Sequence, residues 1–158
     1  MSETIATITS TEPMDQSRYL LFYIGEAFYG IPLALVLEII DIQNITHLPC
    51  VADYIKGIVN LRGQIVPVID VRLKFQMTER AYDEKTCIII LECHEMQVGL
   101  IVDSVVEVVT VESCKLARPP AVGDLDSRYL SSVAEVGDKV ILNIDFEQFF
   151  QIDINPIF

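Results

Sequence analysis

Apolar residues in this chain alternate with polar ones or run in short β-branched blocks, and few stretches show the 3.6-residue spacing of an amphipathic helix. The pattern predicts ten short strands: Leu20–Gly25, Phe28–Pro32, Val36–Asp41, Ile55–Leu61, Ile65–Asp70, Thr86–Cys93, Gln97–Val102, Val105–Val111, Val133–Val136 and Val140–Ile144. Gly25-Glu26-Ala27 has the length of a hairpin loop, and Asn60-Leu61-Arg62-Gly63 reads as a tight corner in which Gly63 is free to take a positive φ. Helical signals are weak. They amount to turns near Val51–Tyr54 and Val71–Phe75 and a short last helix at Asp145–Phe150, with Asp145 placed as its N-cap. So many short strands at this spacing argue for barrels or a sandwich rather than a βαβ sheet.

The polar segment Met77–Lys85 divides the chain, and the two sides resemble each other. Tyr29-Gly30-Ile31, Val36, Glu38, Ile39 and Ile40 recur 69 residues later as Val98-Gly99-Leu100, Val105, Glu107, Val108 and Val109. Leu61, Gln64, Val66, Ile69 and Asp70 recur 75 residues later as Val136, Lys139, Ile141, Ile144 and Asp145. Duplication predicts two five-stranded halves, each closing into a small barrel that hides its edges, packed together with a groove between them. The expected layout is a flexible tail over 1–17, one domain over 18–150 and a tail over 151–158. Within the domain the first barrel spans about 19–76 and the second about 86–145, with strand exchange between them allowed.

Composition narrows the function. A chain of 158 residues, 51% hydrophobic, buries one sizeable core. Eleven Lys+Arg against 23 Asp+Glu give a net charge of −12, which repels nucleic-acid phosphate and anionic membranes and leaves proteins as the expected partners. No apolar run approaches the ~20 residues of a membrane helix, and the N-terminus lacks the basic patch and apolar block of a secretory signal. Cys50, Cys87, Cys93 and Cys114 show no CxxC spacing and read as reduced, mostly buried thiols. Zinc at Cys93-His94 is disfavoured because adjacent strand residues point to opposite faces, so no metal is expected. His47 and His94 accompany no nucleophile, no Gly-rich phosphate loop is present, and Asp41, Asp70, Asp103 and Asp145 fall at strand ends or turns, where carboxylates cap. The chain therefore reads as having no catalytic residues and no cofactor.

The residues Tyr29-Gly30-Ile31, Val36-Leu37-Glu38-Ile39, Pro49, Ile55-Lys56-Gly57, Asn60-Leu61-Arg62-Gly63 and Val66-Pro67-Val68-Ile69-Asp70-Val71-Arg72 resemble the CheW family, the coupling proteins of bacterial chemosensory arrays. The likeness continues through Val98-Gly99-Leu100-Ile101-Val102-Asp103 and Tyr129-Leu130 to Ile141-Leu142-Asn143-Ile144-Asp145, although Ser131-Ser132-Val133 stands where the family favours glycines. The resemblance implies an all-β fold of two intertwined SH3-like five-stranded barrels with short helical turns and a short C-terminal helix. It also implies a stand-alone, non-enzymatic adaptor in the cytoplasm, monomeric when isolated and recruited to membrane-associated receptor arrays. There it would link the cytoplasmic helical hairpin tip of a chemoreceptor to the regulatory domain of the CheA histidine kinase, with no nucleic acid and no membrane insertion.

Arg62 is the focus of the expected receptor site. Glu38 could pair with it across the barrel surface, and Val36, Ile55, Gly57 and Ile65 would form an apolar rim around the pair if they project outward, with Lys56 beside it. The expected receptor-binding residues are thus Val36, Glu38, Lys56, Gly57, Arg62 and Ile65. The competing reading makes Arg62 a solvated turn residue and Val36 and Ile65 barrel core. For the kinase the expected residues are Val105, Val108, Pro119, Pro120 and Val122. The last three lie in a loop that Pro119-Pro120 would stiffen, and which otherwise reads as a simple connector. Two alternatives remain: a small-molecule-binding β-barrel with its pocket between the halves, and an enzyme with a perturbed acid or base in the same groove.

Overall fold

The protein, described by a computed structural model, is defined over residues 16–93, 95–112, 116–117 and 129–151. In chain order the elements are β1 (Gln16–Ile24), β2 (Ala27–Pro32), a 3-10 turn (Leu33–Leu35), β3 (Val36–Asp41), β4 (Ile55–Leu61), β5 (Gln64–Asp70), α1 (Val71–Lys74), β6 (Cys87–Cys93), β7 (Met96–Val102), β8 (Ser104–Glu112), β9 (Leu116–Ala117), β10 (Leu130–Val136), β11 (Lys139–Ile144) and α2 (Phe146–Gln151). All ten expected strands form, and the two-residue β9 joins them. The stretch Val51–Tyr54 is a turn, and Cys50, expected inside, is exposed there at φ +61°.

The strands make two sheets, ordered β8-β1-β2-β11-β10-β9 and β3-β6-β7-β5-β4. The repeat explains this order. The pair β6–β7 repeats β1–β2, β8 repeats β3, and β10–β11 repeats β4–β5, so the larger sheet, apart from β9, is the duplicate of the smaller. In each copy the leading strand pair has crossed to the sheet built by the other copy. The crossing is made by a parallel pairing in both sheets, β2 on β11 with Gly30 facing Asn143, and β7 on β5 with Gly99 facing Val68. The repeated glycine has a steric cause. A Cβ at Gly30 would stand 2.3 Å from Asn143 Oδ1, and one at Gly99 would stand 2.8 Å from methyls of both Ile88 and Val68.

Consecutive residues enter different cores. Phe22, Tyr29 and Ile31 of the larger sheet meet Ile69, Ile89, Leu91 and Leu100 of the smaller one in the main cluster, which Phe75, Phe146 and Phe149 complete. Val66, Val68, Ile88, Ile90 and Ile101 fill the other side of the smaller sheet, and Leu21, Val111, Ala134 and Ile141 that of the larger. With both faces buried, a strand such as Ile88-Ile89-Ile90-Leu91 is apolar throughout instead of alternating.

Among the described residues neither sheet closes into a barrel through a continuous hydrogen-bonded ladder, whereas the sequence predicts closure. In the smaller sheet the chain after β3 bends back, and Thr46 and Ile58 exchange two backbone hydrogen bonds of 2.9 Å, bringing the β3 side toward edge strand β4. Gly57 makes this possible, because a Cβ there would fall 2.0 Å from the Thr46 carbonyl oxygen. At the end of each β5-type strand an aspartate turns the chain. The N–H of Asp70 donates to Tyr54 and that of Asp145 to Tyr129, both at 2.8 Å, and the two carboxylates cap α1 and α2 respectively.

Candidate functional site

Arg62 occupies the first central position of the two-residue turn between β4 and β5, where Leu61 faces Gln64. Arg62 lies at φ +53° and Gly63 at φ +85°, the signature of the type I′ turn that suits a right-twisted hairpin. Asn60 Oδ1 accepts the Gly63 N–H at 2.9 Å. Type I′ turns favour Asn, Asp or Gly at both positions, so arginine here carries a local strain of about 1 kcal/mol. Its side chain reaches the edge strand β3 and makes a two-point contact with the Glu38 carboxylate. That hydrogen bond, and then the charge of Glu38, raises the guanidinium pKa further. An exposed pair of this kind contributes little to stability. Its effect is to hold the planar fork at the hairpin tip with donors to spare.

Leu37, Ile39 and Ile65 are exposed aliphatic residues of β3 and β5, and Ile39, next to Glu38 along β3, takes the opposite face of the strand. Other expected rim residues face inward. Val36 is half-buried against the main core, Ile55 lies inside it, and Gly57 is buried beneath the Thr46 carbonyl. Lys56 does not join Arg62. At the far end of β4 its ammonium pairs with Glu79 at 2.9 Å and lies 5.9 Å from the centre of the Tyr82 ring. Both partners belong to the polar segment after α1, which is strapped to the body at further points. Tyr82 donates to buried Asp70 at 2.8 Å, Arg72 Nη1 donates to the Thr78 carbonyl at 3.1 Å, and Arg80 reaches Asp103 at 3.1 Å. Burial and the bond to Asp70 together push the Tyr82 hydroxyl far above its ordinary pKa.

The second repeat carries a counterpart. Glu107, the equivalent of Glu38, is paired at 2.7 Å with Lys139. The equivalent of Arg62 is Gly137, so the cation has moved to the place that Gln64 holds in the first hairpin. Hydrogen bonding to Glu107 raises the Lys139 pKa, and the ammonium also lies 5.3 Å from the Phe28 ring centre. Val108 and Val140, next to Glu107 and Lys139 along their strands, are exposed, while Val105 is half-buried against the main core. Pro119, Pro120 and Val122 lie outside the described residues, as does His94. Val140 and Lys139 escaped the sequence reading, yet the 75-residue offset that relates the hairpins pairs Val140 with Ile65.

The seam between the sheets is occupied by the protein's own side chains. The Phe75 ring lies 5.3 Å from Tyr29, 6.0 Å from Tyr129 and 5.9 Å from Phe149, centre to centre. Buried Lys74 places its ammonium over Tyr54, Tyr129 and Phe149. At the rim of the seam Arg72 holds Asp103 through Nε and Nη2, and the Gly25 N–H donates to the same carboxylate at 2.8 Å. The arrangement fastens two sheets and exposes two ion pairs on opposite repeats. Among the described residues no group of three or more His, Cys, Asp or Glu is placed to hold a metal ion.

Residues 18–153 match the family model described as the CheW-like domain. The chain belongs to the CheW-like domain family. It is 34% identical over 131 residues to the chemotaxis protein CheW of Klebsiella aerogenes, covering 82% of this chain and 79% of that one. With the chemotaxis protein CheW of Treponema pallidum it shares 28% identity over 141 residues, covering 86% and 83% of the two chains. The crystal structure of the scaffolding protein TtCheW from Thermoanaerobacter tengcongensis superposes with a TM-score of 0.81 at 33% identity, over 87% of this chain and 94% of that one. Membership makes the chain a non-enzymatic scaffold of the chemotaxis type, with the two-subdomain SH3-like fold of the CheW-like domain. No helix among the described residues is long and apolar enough to cross a membrane.

Proposed function

We propose that this protein is an adaptor that joins the cytoplasmic helical hairpin tip of a chemoreceptor to the regulatory domain of the CheA histidine kinase. The observation that carries the reading is the Glu38–Arg62 pair, an exposed fork held by an edge-strand carboxylate at a strained hairpin tip, with exposed Ile65 following on β5. Such a surface suits the polar and aliphatic side of a helix. The receptor face comprises Glu38, Arg62 and Ile65, with Val36 and Gly57 shaping the strands beneath and Lys56 at the far end of β4. The kinase face comprises Val105 and Val108 on the second repeat, together with Pro119, Pro120 and Val122, which lie outside the described residues. Because the kinase carries a domain of the same family, the two can meet through like surfaces. The adaptor works in the cytoplasm and reaches the membrane only through its receptors.

The test is reconstitution. The purified chain, the kinase regulatory domain and a receptor hairpin fragment are mixed at physiological salt and separated by size. Co-elution of all three is expected, and failure to bind either partner sinks the reading.

A further inference from the structure

One row of residues runs across each sheet, and the two rows are equivalent under the repeat. In the larger sheet Leu21 faces Gly30, Gly30 faces Asn143 and Asn143 faces Ser132. In the smaller sheet Ile90, Gly99, Val68 and Gly57 stand at the same places. The second row carries no polar side chain, whereas the first turns polar at the parallel seam. Asn143 is 1% exposed. Its Nδ2 donates to Ser132 Oγ at 3.0 Å, but its Oδ1, wedged over Gly30, accepts no hydrogen bond among the described residues. The ladders also differ in extent. The smaller seam joins Gly99–Ile101 to Val68–Asp70. The larger joins Phe28–Gly30 to Ile141–Asn143 and ends at the polar residue, with Pro32, which lacks an N–H, in the place of Ile101.

Closing the larger seam strips water from an amide oxygen and returns no partner, and opening it restores that hydration. At the smaller seam Val68 gains by being covered. We propose that the larger sheet opens between β2 and β11 as a local motion, with Asn143 as its cause, while the smaller sheet opens between β5 and β7 only when the whole protein unfolds. The parts that separate are β8-β1-β2 on one side and β10-β11 on the other. Between them Leu21 and Val111 meet Ala134 and Ile141, the smallest of the three cores among the described residues. On the outside Lys139 spans the seam, reaching from β11 to Glu107 of β8 and lying over the Phe28 ring of β2. An exposed ion pair of this kind holds weakly, so it latches the seam without locking it. On the proposed function, the hairpin that carries Arg62 belongs to the fixed sheet and the hairpin that carries Lys139 to the movable one.

Amide hydrogen exchange of the whole chain, followed by NMR over a series of low urea concentrations, tests the opening. The amides that pair across the larger seam, within 28–30 and 141–143, should exchange about tenfold faster or more than those within 68–70 and 99–101. Their rates should also respond less to urea, since a local opening exposes less surface than global unfolding. Asn143→Val puts the residue of the smaller seam into the larger one, and should slow the larger-seam amides about tenfold relative to the smaller-seam ones. Ser132→Ala removes the partner of Nδ2 and should speed them several-fold. Equal rates at the two seams with equal urea dependence overturn the proposal, and so does an Asn143→Val protein whose seams differ as much as those of the wild type. The wild-type comparison decides even where a variant does not fold. It is read on the free protein, so its outcome is independent of the receptor and kinase assignments.

Discussion

Lys74 and Phe149 stand at equivalent places in the two repeats, and the ammonium of the one lies 5.5 Å from the ring centre of the other. The same ammonium lies 4.3 Å from Tyr54 and 4.9 Å from Tyr129, which are themselves equivalent residues. The approximate twofold of the molecule thus runs through a buried cation among rings, at the point where α1 and α2 meet. Replacing Lys74 by Ala removes a buried aliphatic stem along with the charge and should cost about 2–4 kcal/mol. Lys74→Met keeps most of the stem and should cost about 1 kcal/mol, near the value of a cation–π contact. Urea midpoints of the two variants check the order.

Gly99→Ala places a methyl against Ile88 and Val68 at 2.8 Å on the parallel seam of the smaller sheet. Neither neighbour can withdraw without disturbing a filled core, so a loss of about 1–3 kcal/mol is expected. Gly63→Ala is a control without such a clash, because nothing lies within 4 Å of its added Cβ, and it should cost only the strain of a positive φ.

Burial pushes the Asp103 carboxyl up, but hydrogen bonds from Arg72 and from the Gly25 N–H, with the charges of Arg72 and Arg80, hold it below the ordinary range on balance. A carboxyl whose pKa is lower folded than unfolded binds protons more readily in the unfolded chain, so its contribution rises with pH. It is fully present above about pH 4 and is lost as the pH falls through the folded value. Asp103→Asn should cost roughly 2–3 kcal/mol at pH 7, since it leaves the largely buried Arg72 without its counterion. The gap between variant and wild type should narrow in urea titrations below about pH 4.

Arg62→Asn tests whether the hairpin tip trades stability for binding. Asparagine suits the positive φ of this turn, so the hairpin should gain a few tenths to about 1 kcal/mol, offset in part by loss of an exposed ion pair. Receptor affinity should fall by about 2 kcal/mol or more, as for a central interface arginine. Titration calorimetry with a receptor fragment and thermal melts of the free protein read the two effects separately. Normal receptor affinity in a stabilised variant would remove Arg62 from the interface.

On the second repeat, Val108→Glu should lower kinase-domain affinity by at least tenfold, about 1.4 kcal/mol, with no change in the urea midpoint, since Val108 faces solvent. Unaltered kinase binding would move that interface elsewhere.

The strands were legible because their β-branched runs are short and bounded by turn residues, and the duplication because Gly30 and Gly99 leave a steric mark that alternation alone would not. Which sheet each strand joins was not legible. Ile88-Ile89-Ile90-Leu91 is apolar at every position, so its pattern carries no facing information, and local spacing cannot report that β6 and β7 pair with strands of the earlier repeat. The same ambiguity hid the inward turn of Val36 and Ile55 and the exposure of Leu37 and Ile39, since a slip of one residue reverses every side chain. Lys56 is close to Arg62 in sequence, but six positions along a strand span about 20 Å, and its counter-charge, Glu79, comes from the polar segment between the repeats.

The crossing of leading strands also governs how the chain is made. As a nascent polypeptide leaves the ribosome, β1 and β2 emerge first, yet β2 finds its parallel neighbour only when residues 139–144 appear. The smaller sheet can be complete once β7 is out, about 40 residues sooner. During that interval Leu21 stays unshielded, because its partners Val111, Ala134 and Ile141 come later, so translation pauses placed after β7 should expose it to chaperones while pauses after β11 should not.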